Sequence, residues 1–480
     1  MKELENTEKT NKSFKVQLRS QLKKYWKYSR KWFPFSIIIG LISGALMGLF
    51  IASIVQLWNL VDKINYYYAL FPIVGGITSL LLYFGFKEVK GAGISYVLTH
   101  KNTTTPIPSR TILTKFFASL LTLGVNAPAG REGPAVTIGS SVAYSLGDKL
   151  KMTKEDQGHA ITIGAAACTA AVFRAPLGGT VFASEVPYKH DLDETVFLPA
   201  LVASAISLLV SQAILTFLNS HPAYLEVDVV SSSLTFVDAS LFVLLGVFAG
   251  IFGILFSLSY KLLSRNIEKI LKPFLLPFVG MIITALLVFL FELALPEGIS
   301  LGGTGFFSIN HLMENYASIG LRVLFILFSG KIVVTSTCVG LGASGGVMGP
   351  SLVTGAAMGA LYSRLFPNLN PLVVLNDDKE LIGIISAIDF QQGFTKGHKY
   401  VRNVMSKDVI VAYPGDTLSS AFDKLTDNRI ECMPVVDIDN PTKVIGFVTF
   451  RDIENRYETA MTKLHSQQSL TIEELISDDI

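Results

Sequence analysis

The sequence is poor in cysteine and in charge. Its 480 residues include three cysteines, and charged residues make up 16%. Cys168, Cys338 and Cys432 stand far apart, which excludes a disulfide framework and the usual zinc motifs. No P-loop, dinucleotide fingerprint or nucleophile–base pair rises above chance, so there is no enzyme signature. A net charge of +2 gives no sign of a nucleic-acid partner. With 50% hydrophobic residues and a mean hydropathy of +0.47, the composition is typical of a membrane protein.

Basic residues are concentrated at the N-terminal end. The first 31 residues contain ten Lys or Arg and three Glu, directly before an apolar run. Because cytoplasmic flanks of membrane helices are rich in Lys and Arg, we expect this end to lie in the cytoplasm. The basic stretch and the apolar segment that follows are both too long for a cleaved signal peptide.

Apolar segments of two lengths follow. Those long enough to cross roughly 30 Å of hydrocarbon are residues 35–60, 69–86, 198–218, 240–262 and 274–295. Shorter, glycine-broken segments are residues 112–125, 135–146, 161–173, 177–186, 323–339 and 351–365. A helix can end inside a bilayer only where its free N–H groups face protein or water. The short segments therefore indicate tilted or half-crossing helices that line a pathway.

An internal repeat organises these segments. Residues 115–139 match residues 331–355 without gaps at an offset of 216, with Lys115 equivalent to Lys331 and Gly130 to Gly346. Each copy reads as an apolar helix, a glycine-rich break and a second apolar helix. Duplicated broken helices are the best sequence indication of a transport site, so we predict two related membrane halves of inverted topology.

A second repeat lies in the polar tail. Residues 371–389 match residues 434–452 at an offset of 63, and the pattern resembles paired CBS motifs. The first motif lacks its front half, and the second membrane copy ends early. We therefore predict that an internal block is missing near Asn370 and Pro371, with the last membrane helices and half of a CBS motif.

An acidic residue stands at the head of a membrane-buried helix. Residues 130–134 read GREGP, which puts Glu132 at a helix N-terminus between apolar segments. A charge at this depth costs at least ~2.5 kcal/mol and usually marks a pathway or a relay. Free N–H groups at the same helix end attract anions. Glu132 is therefore our candidate gate, which occupies the anion's place when ionised; the alternative is a structural Glu paired with Arg131 or another base.

These motifs resemble those of the CLC chloride channel and transporter family. GREGP resembles its gating motif, Gly346–Pro350 (GVMGP) its second signature, and Gly91–Ser95 (GAGIS) its first, while GAGIS alone also fits simple helix packing. The resemblance implies an anion site, and its residues are Ala92, Gly93, Arg131, Gly133, Val347 and Met348. Ala92 stands where the family has a serine hydroxyl, so one donor is absent. The family's tyrosine donor would belong to the missing block.

The region around Glu185 bears on coupling to protons. Residues 178–186 read GGTVFASEV, and CLC antiporters resemble this stretch but carry a proton-relaying glutamate at the position of Val186. Valine cannot carry a proton. This difference favours passive conduction over exchange, with Glu185 in a structural role. Arg174 fits an interfacial position better than an anion entrance, and the polar cluster at residues 190–194 fits a solvated loop better than a metal site.

The tail resembles nucleotide-binding CBS modules. The resemblance implies adenine-nucleotide contacts at Ser386, Asp389, Thr449 and Asp452. Helix N-capping explains the same residues equally well.

Together these features predict an all-α polytopic membrane protein with inverted-repeat broken helices, plus a C-terminal α/β CBS module. The expected regions are a cytoplasmic basic segment (1–32), a first membrane repeat (33–220), a truncated second repeat (238–370), a cytoplasmic CBS region (371–458) and a tail (459–480).

The first functional hypothesis is a passive chloride channel in the cell membrane, gated by Glu132 and needing no cofactor. The alternatives are a chloride/proton antiporter and a non-conducting, CBS-regulated membrane protein. A divalent-cation transporter is disfavoured, because few acids interrupt the apolar spans. The family resemblance also implies a homodimer, although the missing helices would normally contribute to it.

Overall fold

The computed structural model divides the chain into two compact units. One comprises residues 1–231 with 245–364, and the other residues 232–244 with 365–480. The described residues are 2–103, 105–185, 194–224, 236–296, 299–315, 319–365, 372–376, 378–385, 400–428, 430, 432–449 and 453.

The first unit is helical throughout its described part. Its helices are α1 (Lys2–Val61), α2 (Phe71–Tyr83), α3 (Ile94–Thr103), α4 (Thr111–Gly124), α5 (Glu132–Lys149), α6 (Lys154–Phe173), α7 (Pro176–Glu185), α8 (Glu194–Phe217), α9 (Phe236–Glu268, which begins in the second unit), α10 (Leu276–Glu292), α11 (Phe306–Asn315), α12 (Leu321–Cys338) and α13 (Met348–Leu365).

Helix length and composition confirm most of the expected spans. Within the described residues, five helical segments are long and apolar enough to cross a membrane: Tyr28–Val61, Thr195–Phe217, Ser240–Ile267, Pro273–Glu292 and Leu321–Cys338. After α13, the described part of the chain contains no helix of this kind. The predicted junction at Asn370 and Pro371 lies outside the described residues and stays a prediction.

One of the expected full spans was wrong. Residues 69–86 do not form one full span, because α2 has only 13 residues and covers about 20 Å. Its length is limited by Gly85, whose φ of +87° ends the helix. Helix α12 extends over 18 residues and is long enough to cross, which agrees with a tilted crossing of residues 323–339 and not with a half-crossing.

The two copies of the sequence repeat begin a helix at the same repeat position. Helix α5 begins at Glu132 and α13 begins at Met348, which are the same position in the two copies. In both copies an apolar helix ends, a glycine-rich segment follows, and a new helix starts in the interior of the unit. The broken-helix prediction is therefore confirmed for both halves.

Small residues allow α5 and α6 to pack closely. A side chain at Gly139 of α5 would overlap the carbonyl oxygen of Gly164 in α6, and a side chain at Gly164 would overlap that of Gly139. Glycine is common at such helix contacts in membranes, where close backbone approach replaces the hydrophobic effect between helices. The tight pair fixes where the first turn of α5 lies.

Among the described residues from 372 onward, the second unit contains two antiparallel hairpins and an α-helix. Strands β1 (Leu372–Leu375) and β2 (Leu381–Ile385) pair with each other, as do β3 (Cys432–Val436) and β4 (Val444–Thr449). Helix α14 (Leu418–Asp427) is capped by the Thr417 hydroxyl, which accepts a hydrogen bond from the Ser420 N–H. Leu425 of α14 and Met433 of β3 lie in the small apolar core of this unit. The α/β character expected of this region is confirmed.

The two repeat-related glycines Gly139 and Gly355 should respond differently to alanine. Gly139→Ala forces backbone apart and should lower the thermal unfolding temperature by several degrees. Gly355→Ala meets no atom within 4 Å and should be neutral or mildly stabilising, since alanine is the better helix former by about 1 kcal/mol. Thermal unfolding of the two purified variants in the same detergent measures this, and equal losses would contradict the packing described.

Candidate anion pathway

A backbone bridge joins the two repeats at the centre of the unit. The Gly130 N–H donates to the Gly346 carbonyl at 2.7 Å, and the Gly346 N–H donates to the Gly130 carbonyl at 2.6 Å. Both residues precede a helix by two positions. The bridge therefore brings together the N-terminal ends of α5 and α13, whose free N–H groups together favour a negative charge between them.

The carboxylate of Glu132 lies in this gap. The residue is 1% exposed, and its Oε2 accepts a hydrogen bond from the Gly349 N–H at 3.4 Å. A side chain at Gly130 would overlap Oε2, so the carboxylate fills space that the glycines leave open. Its Oε1 is buried and has no hydrogen-bond partner among the described residues. An acid from the first repeat thus takes its hydrogen-bond donor from the second repeat.

Arg131 does not pair with this acid. Within the described residues no ion pair joins Arg131 to Glu132; instead the Arg131 guanidinium donates to the Ala223 carbonyl at 3.3 Å and stands over the Tyr224 ring. The structural alternative raised from the sequence paired Glu132 with Arg131 or another base, and no ion pair to Glu132 is found among the described residues. The two neighbouring charges point into different environments.

The remaining anion-site candidates lie around the same gap. Gly133 is buried, and a Cβ atom at Gly346 would lie 2.9 Å from its nitrogen. Met348 begins α13, and both Val347 and Met348 are half-buried. The structure brings these residues together with Glu132.

The loop that contains Ala92 and Gly93 reaches α5 from the other side. A side chain at Gly133 would overlap the Ala92 carbonyl oxygen. Gly91 and Gly93 have φ values of +58° and +82°, which only glycine adopts without strain. The two positive φ angles turn the chain so that the loop contacts the first turn of α5.

Two buried lysines hold equivalent loops in place. The Lys115 ammonium donates to the Gly91 carbonyl at 2.6 Å. Lys331, its repeat partner, donates to the carbonyls of Leu301, Gly302 and Gly303 at 2.8–3.0 Å. Neither lysine is exposed to solvent. A buried ammonium group is stable only with such hydrogen-bond acceptors. The lysine that recurs in the two repeats therefore holds one loop in each half of the unit.

The second of these loops was missed in the sequence. Gly303 and Gly305 have φ values of +56° and +83°, nearly those of Gly91 and Gly93. The loop lies 28 residues before its lysine, whereas the first lies 24 before, so an ungapped comparison does not align them. The G-x-G spacing of each loop is the signal that could have found it.

Thr304 is the counterpart of Ala92 in this second loop. A Cβ atom at Gly349 would lie 3.3 Å from the Thr304 carbonyl oxygen. In the first repeat, a Cβ atom at Gly133 would likewise meet the carbonyl oxygen of Ala92. Thr304 is half-buried and carries a hydroxyl, which Ala92 lacks. The two loops therefore frame the helix ends symmetrically but differ in the donors they offer.

Three other acids of this unit either have hydrogen-bond or ion-pair partners or are exposed to solvent. Glu292 accepts hydrogen bonds from the Tyr67 and Ser300 hydroxyls, both at 2.6 Å. Glu88 is buried and pairs with Arg110 at 3.3 Å. Glu185, at the end of α7, is exposed. Among these acids, Glu132 alone lies buried at the meeting point of two helix ends.

Several sequence candidates lie outside the described residues: Val186, His190, Asp191, Asp193, Ser386, Asp389 and Asp452. Thr449 is described as the last residue of β4. Within the described part of the chain, no cluster of His, Cys, Asp and Glu has the arrangement of a metal site. Nucleotide contacts in the tail stay a prediction.

Comparison with curated proteins gives relatives that cover most of the chain. An uncharacterized protein of Methanocaldococcus jannaschii is 27% identical over 346 residues, covering 72% of this chain and 82% of that protein. The H⁺/Cl⁻ exchange transporter ClcA of Vibrio cholerae is 28% identical, covering 75% and 81%.

Solved structures share the fold. The crystal structure of a CLC-type fluoride/proton antiporter superposes with a TM-score of 0.59 at 24% identity, covering 70% of this chain and 81% of that one. A slow cyanobacterial Cl⁻/H⁺ antiporter gives 0.58 at 21% identity, covering 70% and 80%. At these identities the likeness shows the fold alone.

Family models match two regions. The CBS domain model matches residues 401–458. The voltage gated chloride channel model matches residues 75–390, which is well over half of the chain. Together with the Glu132 site between α5 and α13, this match shows that the chain is a multi-pass membrane protein of the CLC family and that it carries a C-terminal CBS domain.

Proposed function

We propose that this chain exchanges chloride for protons across a lipid bilayer. In this proposal the Glu132 carboxylate blocks the anion site when ionised and carries a proton when it leaves the site. One observation carries the proposal: the Glu132 carboxylate occupies the gap where the ends of α5 and α13 meet. A carboxylate that leaves this gap on protonation frees the same N–H groups for chloride. One side chain can thus carry a proton and exclude an anion in turn.

The relatives support exchange over passive conduction. The curated relatives whose names state an activity include H⁺/Cl⁻ exchangers such as ClcA of Vibrio cholerae. This reverses the order of the two hypotheses from the sequence, in which passive conduction came first. That order rested on Val186, a single position.

Passive chloride conduction is the second candidate because of that position. Valine at 186 cannot pass a proton onward, and Glu185 beside it is exposed at the end of α7. Exchange therefore requires a proton route that bypasses residue 186. We also propose that the basic N-terminus and the CBS region lie in the cytoplasm.

Replacing the gate should remove the pH dependence of anion flux. Glu132→Gln keeps the size of the side chain but cannot ionise, so chloride efflux from proteoliposomes should vary little between about pH 4 and pH 8. Glu185→Gln removes the other acid of this region and serves as the matched control, with the pH profile of the parent. A Glu132→Gln profile identical to the parent's would contradict the gate assignment.

A chloride gradient should move protons uphill. In proteoliposomes without a pH gradient, inward chloride flow should drive protons out, and Glu132→Gln should stop this movement while chloride still passes. External pH recorded with an electrode measures it. Chloride flux without any proton movement would instead support passive conduction. No flux of either ion would support the non-conducting alternative.

A further inference from the structure

A second site lies beside the gate, on the other face of Arg131. A cavity of about 500 Å³ is formed by the start of α5, the end of α6 and the segment after α8. Since α5 and α6 run in opposite directions, this cavity lies at the end of the pair away from the Lys149–Lys154 turn. The Glu132 carboxylate points from α5 toward Gly349 and not into it.

The cavity carries two guanidinium groups on one aromatic ring. The Arg174 Cζ lies 3.8 Å from the Tyr224 ring centre, and the Arg131 Cζ lies 5.1 Å from it. None of the described residues that line the cavity is acidic. Arg131 is buried and Arg174 is exposed. Two cations near one ring repel each other, so an anion bound beside them would stabilise the arrangement.

Three buried donors face the cavity without partners. The Arg131 Nε, the Ser220 Oγ and the Tyr224 hydroxyl are all buried and make no hydrogen bond with any described residue. Arg131 is 6% exposed. Buried polar groups are almost always paired, and three unpaired donors around one space are unusual. All three are donors, which favours a ligand that accepts hydrogen bonds.

The size of the space selects among anions. A dehydrated halide is a single atom and would fill only a small part of a cavity of about 500 Å³. The planar fork of arginine matches anions with two or more oxygens. Donors reach the space from three chain segments, which suits an anion whose oxygens point in several directions.

We propose that this cavity binds a tetrahedral oxyanion of the phosphate class between Arg131 and Arg174, with further hydrogen bonds from Ser220 and Tyr224. The same chemistry is offered by free phosphate and by a lipid phosphate group. A bound oxyanion holds Arg131, the residue next to the gate, and so slows anion flux. Only this effect on flux rests on the proposed transport function; binding does not.

Binding is tested on the purified full chain. Inorganic phosphate, titrated at constant ionic strength in chloride buffer, should raise the thermal unfolding temperature, because a ligand that binds only the folded state stabilises it. Calorimetric titration gives the affinity. Arg174→Gln should weaken it at least ~10-fold, and Tyr224→Phe, which removes only a hydroxyl, by a few fold. Arg322→Gln removes an exposed arginine that does not line the cavity and should bind as the parent does.

Short-chain phosphatidic acid in place of phosphate identifies the source. If both bind, free phosphate is sufficient; if only the lipid binds, the site takes a headgroup. Failure of both to bind the parent overturns the proposal. So does unchanged affinity in Tyr224→Phe and Arg174→Gln together, since the ligand would then lie elsewhere. Tyr224→Phe keeps the test decisive should Arg174→Gln fail to fold.

Flux is measured separately. Phosphate added to one side of proteoliposomes should slow chloride efflux in the parent and have a smaller effect in Arg174→Gln. Binding without any chloride flux, even in the absence of phosphate, would leave the site in place and contradict the proposed transport function instead.

Discussion

Two hydrogen bonds between Gly130 and Gly346 hold the ends of two helices together inside the membrane unit, and the chemistry of the site depends on this contact. Without it, the first turns of α5 and α13 would each present free N–H groups to an apolar interior, which is costly. With it, both ends face one small gap. The combined positive end charges then favour an anion, and the Glu132 carboxylate fills that place.

The same requirement explains the buried charges around the gap. Lys115 and Lys331 are fully buried. Each ammonium group donates hydrogen bonds to the carbonyls of a glycine loop, which replace its hydrogen bonds to water. Glu292 and Glu88 have hydroxyl or guanidinium partners. Glu132 has one long hydrogen bond and one unpartnered oxygen. A weakly held acid can exchange its partners, whereas its well-paired neighbours are fixed.

Much of the site could be predicted from the sequence, because several of its residues are unusual at their positions whatever the fold. An acid at the head of an apolar helix is costly wherever it lies, and the ungapped repeat identifies Lys331 and Gly346 once Lys115 and Gly130 are noticed. The loop at Thr304 was not readable in this way, since four extra residues separate it from its lysine. The length of α2 was also misjudged, because the apolar character continues past the glycine that ends the helix.

The cavity beside Arg131 has no local signature at all. Arg174 lies far along the chain from Ser220 and Tyr224, and its sequence context favours an interfacial position over an anion site, while Ser220 and Tyr224 carry no local signal. Helix packing brings them to one space and leaves their donors unpaired.

The sequence by itself determined the family, the broken helices, the two-part organisation and the acid at the gap, since each depends on residue type and spacing along the chain. Only the tertiary structure decided which groups meet: Gly349 with Glu132, Ala92 with Gly133, Thr304 with Gly349, and Arg131 with Tyr224 instead of its neighbouring acid. Such partners lie dozens to hundreds of residues apart, and no local pattern constrains them, because close packing alone selects which backbone and side-chain atoms meet.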